Sequence, residues 1–153
     1  MKQHQQVSAI MVCCSSGPHF LERHLLFAEH QLGLSFNQSV ILIPVFGGAS
    51  VLAHTETFEH DSKFALKGLL FSLNEYEDTL KKIVLVNHEG CERAKSEAQG
   101  KKDLIKAQKT IEKHLPDDSD ITIELWYAHL EIPENLESGL VFHKIETLEC
   151  VGN

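Results

Sequence analysis

His88 and Cys91 lie three residues apart in VLVNHEGCERAK (84–95), where a run of β-formers stops at His-Glu-Gly-Cys. A turn there can aim an imidazole nitrogen and a thiolate sulfur at one point, and zinc takes both ligand types. Two ligands do not make a site, so a third has to come from elsewhere in the chain. The stretch VSAIMVCC (7–14) ends in two adjacent cysteines. Neighbouring side chains on a strand point to opposite faces, so one of Cys13 and Cys14 packs in the core while the other faces what lies beyond the strand end. In open parallel sheets, ligands gather outside the carboxyl ends of the strands. If the two strands are neighbours, one cysteine joins His88 and Cys91 in a Cys2His set. Such a set leaves one tetrahedral position open, as catalytic zinc sites do.

Other residues could move protons around such a centre. His54, Glu56, His60 and Asp61 crowd a polar loop soon after Gly47-Gly48, and His19 lies one turn beyond Ser16. Histidine titrates near neutral pH and suits a relay. With ten histidines in the chain, however, solvated loop residues must be common among them. Cys13-Cys14 as a redox pair is the weakest alternative, because adjacent cysteines lack the Cys-x-x-Cys spacing of oxidoreductases. Cys150 reads as an incidental thiol.

The elements that must position these groups follow from hydrophobic periodicity. Residues 7–14 are apolar on both faces, as in a central parallel strand. After SSGP, a helix to about Leu32 carries Leu21, Leu25, Ala28 and Leu32 on one stripe, with Gly33 as its stop. SVILIPVF (39–46) is a second strand. A second helix carries Leu66, Leu69, Leu70 and Leu73 and leads into a strand over 83–86. A third helix should run from near Cys91 or Glu92 to His114, ended by Pro116. Strands at 121–128 and 140–145 should pair antiparallel through the loop ending Glu137-Ser138-Gly139. The expected fold is a single α/β domain over 1–153, a mostly parallel sheet flanked by helices with a C-terminal antiparallel strand pair.

Composition narrows the partners. The formal net charge of -8 argues against nucleic acid or an anionic membrane, both of which call for clustered Lys and Arg. No apolar run reaches membrane-spanning length, and MKQHQQ is not a signal peptide. Four irregularly spaced cysteines make a poor disulfide framework and fit a cytoplasmic protein.

These residues resemble the β-class carbonic anhydrases, which hold zinc through Cys-x-Asp-x-Arg at the end of the first strand and His-x-x-Cys after a later one. Cys13-Cys14-Ser15-Ser16-Gly17 lies where the first motif belongs, and His88-Glu89-Gly90-Cys91 matches the second. Pro44-Val45-Phe46-Gly47-Gly48 looks like a changed Arg-Asn-Ala-Gly-Gly segment. The helix-to-strand run 72–86 and the pair Trp126-Tyr127 with Gly139-Leu140-Val141 resemble later parts of the family. The resemblance implies a β-carbonic-anhydrase-like fold, Zn2+ on Cys13, His88 and Cys91, a homodimer, and CO2, bicarbonate or a similar small molecule or anion as substrate.

The chain also departs from the pattern. Ser15 and Gly17 replace the Asp and Arg that orient the zinc-bound water in the family, and Pro44 replaces a further Arg. The metal site is expected to persist while the groups around it are rearranged, with Ser15, His54 and Glu56 as candidate catalytic substitutes. The expected function is that of a zinc-binding, carbonic-anhydrase-like protein, with carbonate dehydratase (CO2 hydration) as its candidate activity, weakened by the loss of that Asp and Arg. The alternative is a catalytically inactive zinc-binding homologue that binds a small anion or a partner.

Overall fold

The computed structural model describes residues 6–15, 18–34, 40–130 and 140–146. They form one five-stranded sheet in the order β2-β1-β3-β4-β5. Its strands are β1 (Ala9–Cys14), β2 (Val40–Val45), β3 (Lys82–His88), β4 (Thr122–Leu130) and β5 (Leu140–Ile145). The first four run parallel, and β5 pairs antiparallel with β4, Tyr127 facing His143. This is the mostly parallel sheet with a C-terminal antiparallel pair that the sequence predicts.

Among the described residues four helices lie between the strands: α1 (Pro18–His30), α2 (Ser50–Ala53), α3 (Glu59–Glu75) and α4 (Glu97–Glu112). The short α2 is absent from the sequence reading, because four residues hold too little periodicity to be seen. The third long helix also starts later than expected, at Glu97 instead of near Cys91. Ser96 sets that start: its Oγ accepts the Gln99 amide at 3.1 Å, satisfying one of the otherwise orphaned first-turn donors. Residues 91–96 are thereby left as a turn, free to present Cys91.

Two apolar layers clamp the sheet. On one face Ile10, Val12, Ile83, Leu85 and Leu125 pack against Leu52, Ala65, Leu69, Leu104 and Ile111 of α2, α3 and α4. On the other, Met11, Cys13, Val84, Val86 and Ala128 pack with Phe27 and Ala28 of α1. The alternation along β1 follows from the two-residue period of a strand. Since both faces are covered, β1 and β3 read as unbroken apolar runs, and all six residues of β1 are buried.

The strand order fixes where a ligand can sit. β1 lies between β2 and β3, so the chain leaves β1 toward one edge and leaves β3 toward the other. Their carboxyl ends therefore border a crevice at a topological switch point. Both chemistry-bearing stretches end there.

Candidate metal centre

Cys14 is the last residue of β1 and His88 the last of β3, with Val12 and Leu85 paired in register just before them. Glu89-Gly90 then turns the chain so that Cys91 faces back. Gly90 makes the turn with φ at 75°, a left-handed conformation that costs a glycine little. Its neighbour is anchored by the Glu89 amide, which donates to Ala128 O of β4 at 2.8 Å. One ligand atom from each of Cys14, His88 and Cys91 then lies within 4.8 Å of the other two, and all three residues are buried.

The cysteine brought into this set is Cys14, where the family resemblance implies Cys13. Strand parity explains the difference. Cys13 points to the α1 face, into the cluster with Met11, Phe27 and Val86, while Cys14 packs with Cys91 and Ala94. Burial first, and the neighbouring Cys14 second, push the Cys13 thiol up to about 12, the behaviour of an inert core sulfur.

The donor set fits a metal. His88 Nδ1 lies 2.7 Å from Glu89 O, and since a carbonyl only accepts, Nδ1 carries the proton and Nε2 the lone pair. A backbone carbonyl holding the far ring nitrogen is the usual outer support of a ligating histidine. The Gly47 amide donates to Cys14 Sγ at 3.4 Å, a contact that favours the thiolate. Ligand atoms on a tetrahedral zinc sit roughly 3.5–3.8 Å apart for bonds of about 2.0–2.3 Å, so a small contraction closes the set. Without metal, the hydrogen bond to Cys14 and then burial raise the Cys91 thiol. Burial pulls His88 down, but its hydrogen bonds to Cys14 and to Glu89 O outweigh this and leave it raised. Cys91 and His88 therefore hold protons that a metal must displace.

Gly47 and Gly48 close the site from the β2 side. A Cβ on Gly48 would lie 2.8 Å from Val86 O and 3.2 Å from Cys14 N, so only glycine lets the backbone cross the ends of β1 and β3 this closely. A Cβ on Gly47 would meet Arg93 Cδ at 2.6 Å. Arg93 is thus laid over Gly47, two residues after Cys91. Sequence reasoning missed it, although its place in the Cys91 turn was a signal.

Neither His54 nor Glu56 joins this set. Ser15 directly follows Cys14, exposed, with its amide donating to Val45 O at 3.2 Å. His54 caps the C-terminal end of α2, and its Nε2 lies 2.7 Å from Asp103 Oδ1 of α4. Glu56 and His60 are exposed, and Asp61 pairs with Arg93. Among the described residues no carboxylate and no second imidazole joins the Cys14–His88–Cys91 set. Gly17, Cys150 and the side chain of His19 lie outside the described residues.

No family model, no curated protein and no solved structure matches this chain. Among the described residues no helix is long and apolar enough to cross a membrane.

Proposed function

We propose that this protein is a zinc-binding, carbonic-anhydrase-like protein whose centre is Cys14, His88 and Cys91. The observation that carries the reading is the meeting of three buried ligand atoms at the carboxyl ends of two neighbouring parallel strands. Two thiolates and a neutral imidazole select a borderline-soft ion such as zinc over magnesium or calcium. When bound, zinc would act as a Lewis acid toward a small oxygen-bearing substrate such as CO2 or bicarbonate. The chain's own part is to keep the Nδ1 proton of His88 on Glu89 O, so that Nε2 is the ring nitrogen turned to the metal, and to steady Cys14 through the Gly47 amide.

With Cys14 as the ligand, the counterpart of Cys-x-Asp-x-Arg moves one residue on, to Ser16 and Pro18 instead of Ser15 and Gly17. Neither register supplies a carboxylate or a guanidinium. CO2 hydration is therefore slow in this reading, and the favoured role is that of a weak hydratase or an inactive zinc protein that binds a small anion or a partner. A cytoplasmic location and a homodimer complete the proposal. Cys13, Cys14 and Cys91, none of them joined in a disulfide, fit the first.

A stopped-flow CO2 hydration assay on zinc-loaded protein tests it. Wild type should fall orders of magnitude below a competent hydratase, with the Ser16→Asp, Pro18→Arg double variant faster than the Ser15→Asp, Gly17→Arg pair. Rapid hydration by wild type would overturn the view that the centre lacks its proton-handling groups.

A further inference from the structure

Arg93 makes more contacts than a residue in an exposed turn needs. Its Nη1 donates to Phe46 O at 2.9 Å and to Asp61 Oδ2 of α3. Its guanidinium lies over two aromatic rings, 4.7 Å from the Phe46 centroid and 4.5 Å from that of Phe58. Its stem covers Gly47 so closely that a Cβ there would lie 3.2 Å from Arg93 Cβ and 2.6 Å from Cδ. These contacts join the Cys91 turn to Phe46-Gly47 at the end of β2. That segment in turn holds Cys14, because the Gly47 amide is the donor to Cys14 Sγ.

The two sulfurs of the proposed centre come from positions 77 residues apart, 91 less 14. β1 and β3 are neighbours, but Cys91 lies three residues past the end of β3, beyond the reach of the strand register. The sheet and the Gly90 turn bring Cys91 back towards Cys14, and contacts beyond them bear on the distance between the sulfurs. We infer that Arg93, held by Asp61, is a positioning residue that sets the separation of the Cys14 and Cys91 sulfurs and so the affinity for metal. The inference rests on the metal-centre reading above. Arginine suits the task because its planar fork and delocalised charge serve a carbonyl, a carboxylate and two ring faces together, which the ammonium of lysine cannot match. Asp61 leaves the pair almost neutral, so the contribution is one of geometry and not of net charge at the sulfurs. Losing an outer support of this kind commonly costs a metal site roughly 10- to 100-fold in affinity.

The test compares wild type with Arg93→Lys and Asp61→Asn, both close in size to the native side chains. Zinc affinity is measured by chelator competition, Co2+ complexes are recorded by absorption, and metal-free proteins are melted in parallel. Both variants should bind zinc at least tenfold more weakly. Their thiolate-to-cobalt charge-transfer and ligand-field bands should also shift, with metal-free melting temperatures close to wild type. Unchanged affinity and bands would overturn the inference. So would a loss of affinity that only tracks lower stability while the bands stay put, since that marks Arg93 as general packing. If wild type itself binds neither zinc nor cobalt, the metal centre falls and this inference with it.

Discussion

Gly47 donates its amide to the sulfur of Cys14 at 3.4 Å, tying the end of β2 to the end of β1. The contact exists because the Gly47-Gly48 pair, with φ of 101° and 55°, turns the chain sharply across the strand ends. It makes one cysteine of an adjacent pair different from the other.

That difference predicts metal content. Purified protein should carry about one zinc per chain, and elemental analysis should find it largely lost from Cys14→Ser and His88→Ala. Cys13→Ala should keep its zinc while losing roughly 1–2 kcal/mol of stability to the small cavity it leaves. Zinc retained by Cys14→Ser and lost from Cys13→Ala would reverse the assignment.

Gly48→Ala should be among the costliest small substitutions in the chain. The added methyl would lie 2.8 Å from the backbone oxygen of Val86, which cannot retreat without disturbing β3, and the residue would keep a left-handed φ of 55°. We expect a loss of about 2–4 kcal/mol by urea denaturation, together with weaker zinc binding. A variant as stable as wild type would mean that the crossing is looser than it looks.

Metal affinity should climb with pH. Cys91 and His88 are both raised in the metal-free protein, so zinc has to displace protons that they hold more firmly than free side chains would. Between pH 8 and pH 6 the apparent affinity should fall by well over tenfold, each displaced proton contributing up to about tenfold per unit. A pH-independent dissociation constant would exclude thiol ligands.

The metal-free fold should lose stability in alkali. Cys13 ordinarily titrates at 9.0 but is pushed up to about 12 when folded. Its contribution is complete below pH 9, where both states hold the proton. Above that the unfolded thiol ionises first, and stability drops by roughly 1 kcal/mol per unit until the folded pKa is passed. Cys13→Ala should flatten this part of the stability profile, and an unaltered slope would place its origin elsewhere.

His54→Ala should destabilise the protein instead of abolishing a proton relay. Asp103 is 1% exposed, and its Oδ1 is shared by His54 at 2.7 Å and Gln99 Nε2 at 2.7 Å. Among the described residues its buried Oδ2 has no hydrogen-bond partner. Removing the imidazole strips a buried carboxylate of its main companion, at a cost of about 2–4 kcal/mol. The double variant with Asp103→Asn should recover much of that, because the charge goes as well. Thermal unfolding of the four proteins decides it: fully additive losses would show that the two residues are not coupled.

The sequence by itself determined the alternation of strands and helices, the parallel sheet and its antiparallel tail. These rest on local patterns: apolar runs for buried strands, a 3.6-residue stripe for α1 and α3, and glycines where the chain turns. It also singled out His88 and Cys91, since a turn of four residues is a local event. It did not choose between Cys13 and Cys14. Both faces of β1 are covered by helices, so both sets of alternate residues are apolar, and parity alone does not say which sulfur meets the crevice. The docking of Phe27 and Ala28 of α1 against Cys13 made that choice. The fates of the polar loop were equally non-local. His54 was taken by Asp103, 49 residues away, and Asp61 by Arg93, 32 residues away. A charge finds its partner only after the elements carrying both have packed, because desolvation and distance are properties of the folded chain and not of its spelling.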